Sequence, residues 1–457
     1  MNRVGHVTVQ PGDCVKRSDH GPMPVLVVFL VLTSIVPSRL VVPGLGAAGR
    51  PANLLAVAML MWWALLRLLP KQDDGVRVPI RWALYVYLLA HLAAVIAGLD
   101  RGLPGIELRS MDRFVLSTLG IAGVILVCID GLETRRQVEN VVAWIVGLGA
   151  ISAAAGIIQF STGFNPAVLV KIPGLTLNAE IDELATRGAM SFRRAEGFTL
   201  HSIELGVVMG AILPMSLYLA RARSKRWYFA SALIAGVIPM SVTRTGVLAV
   251  VVSMALYAIG WSWRERANAF IIAIVGTFVY SAITPGLLGT IRSLFTNIQS
   301  DNSTTGRTED VDAVGRYISV RPIFGRGPGT FIPSEYRLLD NAYLLELIEA
   351  GWVGLISLIA LLCTGCATAF WLVRTSEDEM TRGLARVLGG AVAVMLIGFA
   401  TYDAMSYPTQ LAVMSVSLGC LGALYRFERS PEDVVDGPVD MADDVPNGSR
   451  ERVEIRG

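Results

Sequence analysis

Three acidic side chains stand close together at the start of a long apolar stretch. The segment LLDNAYLLELIEAGWVGL holds Asp340, Glu346 and Glu349, with Asn341 and Tyr343 between them. A carboxylate can act as a general base that takes a proton from a hydroxyl group. Acids within a bilayer are unfavourable unless they face a cavity or pair with a cation, so this spacing predicts a functional site.

Asp340 is the candidate catalytic residue of this segment. It precedes the helical run, at the expected boundary between loop and membrane. Asp is also a favoured N-cap residue, so the alternative is a structural role in which it binds free backbone N–H groups. Glu346 and Glu349 are expected to position the site by pairing with arginines of the outer loops, together with Asn341 and Tyr343.

Arginines form the second group of candidate residues. Arg194 lies in RRAEGFTLHSIELG, Arg244 in SVTRTG between two apolar runs, and Arg307 in the segment that begins TTGRTED. A guanidinium group can bind two phosphate oxygens at once, so arginines on one face predict a phosphate-rich ligand. For Arg194, the alternative is an interfacial residue that anchors its helix at lipid headgroups.

The segment RPIFGRGPGTF adds a glycine-rich loop. It contains Arg326 together with Gly325, Gly327 and Gly329. Backbone N–H groups in such a loop can form a concavity that binds an anion. It is not a P-loop, because no Gly-Lys-Ser/Thr follows it, and the alternative is a simple turn after a short amphipathic helix.

The outer segments contain no group of side chains suited to a divalent metal ion. They lack an Asp-x-Asp pair, and His201 is the only histidine assigned to them. We therefore expect neither a metal nor a nucleotide cofactor. If a diphosphate is bound there, arginines must neutralise its charge.

Membrane helices must position these residues. The chain has 457 residues, of which 53% are hydrophobic and 17% charged. Apolar runs of roughly 17–22 residues recur, each long enough to cross a bilayer, so we predict an all-α polytopic protein of about twelve transmembrane helices. Their approximate limits are 24–42, 53–69, 80–99, 114–130, 138–160, 203–220, 227–243, 246–263, 268–289, 343–373, 384–402 and 407–425.

The distribution of arginine and lysine predicts the topology. Every second connector is short and basic, as at Arg135 and Arg136, and such connectors face the cytoplasm. Both termini are then cytoplasmic, and the two long connectors, 161–202 and 290–342, lie outside. The net charge of +2 is small, and no nucleic-acid partner is expected.

Three regions follow from this topology. Residues 1–23 form a polar cytoplasmic leader, residues 24–429 the transmembrane domain, and residues 430–457 an acidic tail predicted to be disordered. A retained signal anchor is the preferred interpretation of the first apolar run, and cleavage within GLGAAG is the alternative.

These segments, in this order, resemble the O-antigen ligase/polymerase superfamily of bacterial membrane glycosyltransferases. The resemblance runs from about Arg194 to Gly354. RAEGFTLHSIELG resembles an entry to a span in which the family carries His-Pro-Asn, although Ser202 and Ile203 replace Pro and Asn here. SVTRTG, GR at 306–307, RPIFGRGPGTF and DNAYLLELIEAGWVGL resemble the following blocks.

The resemblance implies a C-type glycosyltransferase-like helical fold in the cytoplasmic (inner) membrane. It also implies a glycan donor linked to an undecaprenyl-pyrophosphate-type lipid, a glycan acceptor, and transfer without metal or nucleotide. By matching positions, Arg244 and Arg307 would hold the pyrophosphate, with assistance from Arg194. A chain-length-regulating protein is a candidate partner, beside the membrane lipids.

One departure from the family pattern separates two versions of this function. Ligases of the family carry His before the Asn, where this chain has Asp340. That favours a polymerase that extends a surface polysaccharide over a ligase that moves finished glycan to a lipid or protein. A transporter of lipid-linked sugar or polysaccharide is the main alternative outside enzymology, because about twelve spans are common among transporters. A structural or partner-binding membrane protein is a further alternative to an enzyme.

Overall fold

The structure is a computed structural model of the chain. Three features predicted above lie outside the residues that it describes: nearly all of the N-terminal leader, the acidic tail, and the candidate ligand Arg307. The described residues are 21–69, 75–178, 186–187, 192–296 and 314–429.

The described chain is mostly helical, and a helical stretch at residues 314–320 accompanies the helices named below. In chain order the helices are α1 (Met23–Ser34), α2 (Pro51–Leu68), α3 (Pro79–Asp100), α4 (Gly105–Gly131), α5 (Arg135–Thr162), α6 (Ser202–Ala222), α7 (Trp227–Met240), α8 (Arg244–Ala258), α9 (Trp263–Ile283), α10 (Leu287–Thr296), α11 (Ala342–Glu349), α12 (Gly351–Thr375), α13 (Glu379–Gly398) and α14 (Pro408–Arg429).

The apolar runs of the sequence account for these helices. Within the described ranges, 9 helices are long and apolar enough to cross a membrane. Three shorter apolar helices, α1, α7 and α8, accompany them. Every predicted span therefore contains a helix, which confirms the all-α polytopic architecture. The number of crossings stays a prediction.

The first predicted span is too long. Helix α1 ends at Ser34, whereas the predicted span continues to residue 42. The chain then enters a short strand, β1 (Leu40–Val41), which pairs antiparallel with β2 (Thr176–Leu177). A second ladder joins β3 (Thr186–Arg187) to β4 (Phe192–Arg193). Strands β2, β3 and β4 lie in the connector 161–202, which the sequence assigns to the outer face, whereas β1 lies within the predicted first span.

The predicted span 343–373 is broken into two helices. Helix α11 ends at Glu349 and α12 begins at Gly351. Gly351 has a φ of +68°, a left-handed conformation that glycine adopts without steric penalty. A Cβ at this position would also lie 2.3 Å from the carbonyl oxygen of Ile323. The break therefore separates the acidic helix α11 from the membrane span that follows it.

Helix α6 lies at the centre of the bundle, with nearly all of its residues buried. Helix α8 crosses it where Gly206 meets Gly246: a Cβ on Gly206 would lie 2.6 Å from Oγ1 of Thr243. Small residues allow such close approach of membrane helices. This crossing fixes the turn before α8 beside the start of α6.

Candidate active site

The turn between α7 and α8 presents Arg244. Helix α7 ends at Met240 and α8 begins at Arg244, whose side chain is partly buried. Thr243 caps α8, and its Oγ1 accepts a hydrogen bond from the N–H of Gly246 at 3.3 Å. Arg244 is thus the first residue of α8, directly after the N-cap residue Thr243.

The backbone of this turn is strained at Val242. Its φ is +49°, a conformation that is unusual for any residue other than glycine and rare for a β-branched one. The side chain is fully buried and packs against Leu287. Strain of this kind persists only where the surrounding packing fixes the backbone, and it is frequent at functional sites. The turn that carries Arg244 is therefore rigidly positioned.

Arg194 binds to the same turn. Its Nε donates a hydrogen bond to the carbonyl oxygen of Ser241 at 3.4 Å. The backbone N–H of the next residue, Ala195, donates to the carbonyl oxygen of Met240 at 3.0 Å. These two contacts place Arg194 and Arg244 on either side of one short turn. Both arginines therefore lie at the same turn.

His201 lies near Arg194 and Arg39. It is the N-cap of α6, where its Nδ1 accepts a hydrogen bond from the N–H of Ile203 at 3.1 Å. Burial and the neighbouring charges of Arg194 and Arg39 lower the pKa of His201 to about 4. The imidazole is therefore neutral near pH 7, and the arginines carry the positive charge of this region.

Backbone hydrogen bonds join the start of α11 to the turn between α13 and α14, residues 399–407. The backbone N–H of Ala342 donates to the carbonyl oxygens of Phe399, at 2.9 Å, and Tyr402, at 3.2 Å. The N-cap of α11 is Asn341, whose side chain accepts hydrogen bonds from the backbone N–H groups of the two residues after Ala342. The capping role considered for Asp340 is therefore wrong. Asp340 lies just before the cap, with its side chain partly buried.

The α13–α14 turn contributes a carboxylate that the sequence reasoning missed. Asp403 accepts a hydrogen bond from the hydroxyl of Ser406. Its Oδ1 is buried and has no hydrogen-bond partner among the described residues. Burial raises the pKa of Asp403, and the nearby charge of Asp340 raises it further. The signal was present in the polar segment TYDAMSYP between two spans, but that segment lay outside the motifs considered.

Tyr407 has both acidic and basic side chains in its surroundings. Its ring stacks on His201 with 6.2 Å between centroids. Burial raises the pKa of its hydroxyl, and the charges of Asp340, Asp403 and Arg194 act on the same group. Since electrostatic effects of this kind decline with distance, these side chains all lie near Tyr407. The structure thus brings Asp340, Asp403 and Arg194 into one neighbourhood.

Glu346 pairs with a histidine, not with an outer-loop arginine as expected. Its Oε1 lies 2.9 Å from Nε2 of His91, and both side chains are buried. Nδ1 of His91 lies 3.0 Å from the carbonyl oxygen of Tyr87 in the preceding turn of α3. The expected arginine partner was wrong because His91 appeared in the sequence as an isolated residue within an apolar span.

Glu349 binds the glycine-rich loop instead of an arginine. Its two carboxylate oxygens accept hydrogen bonds from the backbone N–H groups of Gly329, at 2.7 Å, and Phe331, at 2.8 Å. Its carbonyl oxygen accepts one from Gly327 at 2.9 Å. These donors, which were considered for a bound anion, are thus used within the chain. Burial outweighs them and raises the pKa of Glu349 to about 8.

The three glycines permit this close approach. Gly325, Gly327 and Gly329 all have positive φ, at +68°, +113° and +72°. A Cβ on Gly325 would lie 2.3 Å from the carbonyl oxygen of Glu349. The glycines therefore allow the loop backbone to pack directly against the C-terminal end of α11.

Arg326 and Tyr343 hold neighbouring elements. Arg326 donates to Glu107 at 3.2 Å and also to the hydroxyl of Tyr336, which itself donates to Glu107. The hydroxyl of Tyr343 donates to the carbonyl oxygen of Leu396 on α13. Both residues therefore position the site through the surrounding structure.

A metal site needs several donor side chains close together. The described residues contain no group of three or more His, Cys, Asp or Glu side chains that could hold a metal ion. The expectation of a metal-independent site stays a prediction. Asp340 and Asp403, whose charges interact, form at most a pair.

Part of the chain is similar to a known protein family. Residues 229–359 match the O-antigen ligase family model. This match confirms the resemblance to the O-antigen ligase/polymerase superfamily that the sequence motifs indicated. No curated protein matches the chain significantly.

The matched segment contains part of the site described above. Arg244, Arg307, the glycine-rich loop, Asp340 and helix α11 lie within it. Arg194 and Asp403 lie outside it, although both lie near Tyr407 or the Arg244 turn. The match therefore supports a glycosyl-transferring membrane enzyme of this general type, and the folded chain adds residues from both sides of the matched segment.

Proposed function

We propose that the protein transfers a glycan from an undecaprenyl-pyrophosphate-type lipid to an acceptor sugar hydroxyl, and so polymerises a surface polysaccharide. The reaction would take place at the outer face of the cytoplasmic membrane, with both termini in the cytoplasm. The observation that carries this proposal is the attachment of Arg194 to the Arg244 turn beside the acidic residues near Tyr407. The O-antigen ligase match supports it.

The arginines would act on the leaving group. Arg244 and Arg194, joined by Arg307, bind the diphosphate of the donor and stabilise the charge that develops on it as the glycosidic bond breaks. Removing one preorganised donor of this kind commonly raises the barrier by about 2.7–4 kcal/mol. A neutral His201 adds no charge of its own and fixes the start of α6.

A carboxylate would act on the acceptor. The acceptor oxygen attacks the anomeric carbon, the bond from that carbon to the diphosphate oxygen breaks, and the bonding electron pair leaves with the diphosphate. The hydroxyl proton passes to a carboxylate, for which Asp340 is the candidate. Asp403 lies near enough for its charge to interact with that of Asp340, and its raised pKa suits it to assist as a proton acceptor.

Polymerisation is preferred to ligation because Asp340 stands where ligases of the family carry His. A ligase that moves finished glycan to a lipid or protein acceptor is the alternative within the same chemistry. A transporter is less well supported, because the charged candidate residues lie at the ends of helices and in loops. A protein that regulates chain length is a candidate partner.

Reconstituted protein tests this proposal. Purified full-length protein in lipid nanodiscs receives a synthetic polyprenyl-diphosphate-linked oligosaccharide, with and without EDTA. We expect glycan products longer than the substrate, together with free polyprenyl diphosphate, and equal rates in EDTA. Translocation of the lipid-linked sugar without any new glycosidic bond would support the transporter and contradict the proposal. Activity that depends on added Mg²⁺ or Mn²⁺ would contradict its metal-independent form.

A further inference from the structure

A polar cavity lies between α1, α2, α4 and α14. Its volume is ≈ 60 Å³. A water-sized group needs about 10–15 Å³ of such space, so the cavity holds roughly four to six atoms of that size. That is the size of a phosphate group and smaller than a sugar ring. The lining includes Arg50, Asn53 and Ser117 on its polar side and Ala56 and Val124 on its apolar side.

Arg50 supplies the positive charge of this cavity. It is partly buried at the start of α2, and its Nε donates to the carbonyl oxygen of Ser38 at 3.1 Å. Burial lowers the pKa of Arg50, and the charge of Glu204 opposes that effect from a distance. Among the described residues, no carboxylate forms an ion pair with Arg50. A buried cation without an anionic partner is unfavourable, so an anion in the cavity would stabilise it.

Two neutral polar side chains stand beside this cation. The side-chain amide of Asn53 donates to Oγ of Ser117 at 3.3 Å, and both residues line the cavity. The serine hydroxyl keeps its own proton, and the amide keeps a second N–H, for a ligand oxygen. The lining thus offers a guanidinium and two neutral donors, which is a donor set suited to phosphate oxygens.

The cavity adjoins the candidate active site through the α13–α14 turn. Met405 and Pro408 line the cavity, and the same turn carries Asp403. Glu204, whose charge acts on Arg50, accepts a hydrogen bond from the backbone N–H of Thr409 at 2.7 Å. A ligand in the cavity would therefore contact the turn that carries Asp403.

We propose that this cavity binds a phosphate group of the acceptor lipid, with Arg50 as the cation and Asn53 and Ser117 as hydrogen-bond donors. The inference rests on the proposed function, because a reaction that joins two lipid-linked glycans brings two lipid phosphates to the enzyme. The Arg244 turn holds one of them.

Native mass spectrometry of the full-length protein counts the bound lipids. The probes are a polyprenyl diphosphate without glycan, the matching polyprenol, and inorganic pyrophosphate. We expect wild type to bind two molecules of polyprenyl diphosphate, Arg50→Met one, Arg244→Met one, and the double variant none. Polyprenol should not bind at either site. Binding of pyrophosphate as tightly as the lipid would identify a free anion as the ligand and overturn the lipid assignment.

Steady-state kinetics in nanodiscs separate the two sites. Arg50→Met should raise KM for the acceptor about tenfold or more and leave KM for the donor unchanged, because a charge-assisted contact to phosphate is lost. Arg77→Met, which removes an exposed arginine from the connector before α3, is the matched control and should change neither. Equal effects of Arg50→Met on both KM values, or none, would overturn the inference.

A second variant narrows the cavity without touching the cation. Ser415 lines the cavity, and its hydroxyl donates only to the carbonyl oxygen of Leu411 in its own helix. Ser415→Leu should therefore reduce acceptor binding while the donor site keeps its lipid. If wild type transfers glycan but both Arg50→Met and Ser415→Leu behave normally, the inference fails and the proposed function stands. If wild type transfers no glycan, the proposed function fails.

Discussion

His91 Nε2 lies 2.9 Å from Glu346 Oε1, and this contact joins α3 to the short acidic helix α11. Both side chains are buried, and Nδ1 of His91 faces the carbonyl oxygen of Tyr87. Both ring nitrogens therefore lie close to oxygen atoms, one of α11 and one of α3 itself, which fixes the orientation of the imidazole between the two helices. Asp340 directly precedes the N-cap of α11, so the contact between His91 and Glu346 positions the helix that follows Asp340.

Breaking this pair should destabilise the protein. Removing one partner of a buried ion pair commonly costs about 3–5 kcal/mol, because the other is left without compensation. We expect His91→Leu and Glu346→Leu each to lower the thermal unfolding temperature in detergent. The double variant should lose less than the sum of the two single variants. Strict additivity would show that the two side chains do not stabilise each other.

Arg244 should be needed for turnover and not for folding. Arg244→Lys keeps a charge but loses the planar fork, so we expect about a 10²–10³-fold loss of glycan transfer. Arg307→Lys should behave in the same way. Arg226→Lys changes an exposed arginine at the other end of α7 and serves as the control. Size-exclusion profiles should match wild type throughout, and normal transfer by Arg244→Lys would refute the diphosphate role.

Asp340→Asn separates a proton acceptor from a structural residue. Because Asn341 caps α11, the substitution removes no cap and should leave the unfolding temperature unchanged. Loss of a general base predicts a fall in kcat of about 10²–10⁴-fold. Asp378→Asn at the start of α13 is the control, since Asn is an equally good N-cap there. Near-normal kcat for Asp340→Asn would remove this residue from the chemistry.

Asp403 should set the acidic limb of the pH–rate profile. A proton acceptor works only when ionised, so activity should rise with pH through the raised pKa of Asp403. Burial raises this pKa most, hydrogen bonds from Ser406 and from the backbone N–H of Met405 lower it, and the charge of Asp340 raises it. Asp403→Asn should abolish that limb and lower kcat/KM, as measured by initial rates between about pH 4 and pH 9. An unchanged limb would show that Asp403 does not titrate in the reaction.

Glu349 should make the protein less stable as pH rises. Burial raises its pKa to about 8 in the folded protein, against an ordinary value of 4.5. Between these values the folded state holds a proton that the unfolded state has released, so stability falls as pH increases through this window. Unfolding temperatures across it should decline in wild type and less steeply in Glu349→Gln. Equal slopes would contradict the assignment.

Cysteine labelling tests the topology. The loop before Asp340 is predicted to face outward, and the connector between α6 and α7 to face the cytoplasm. Ser334 and Ser224 are exposed residues of these two segments. An impermeant maleimide added to intact cells should label Ser334→Cys and not Ser224→Cys, with wild type reporting the background of native cysteines. The reverse pattern would show that the predicted cytoplasmic and outer faces are exchanged.

The sequence by itself determined the helical membrane architecture, the approximate position of every span, and the resemblance to a glycosyltransferase superfamily. Those features depend on hydrophobicity summed along short stretches of chain and on residues that lie near one another in the sequence. Arg194, Arg244 and Asp340 could be selected for the same reason, because each stands in a local motif beside an apolar run.

Only the tertiary structure decided the partners of the buried charges. His91 and Glu346 lie on helices far apart in sequence, and Asp403 belongs to a turn beyond the motif-bearing region. Which of several arginines or histidines meets a buried acid depends on how the helices cross, and local sequence does not specify that. The glycine-rich loop was misjudged for the same reason: its N–H groups bind Glu349, a partner that packing alone supplies.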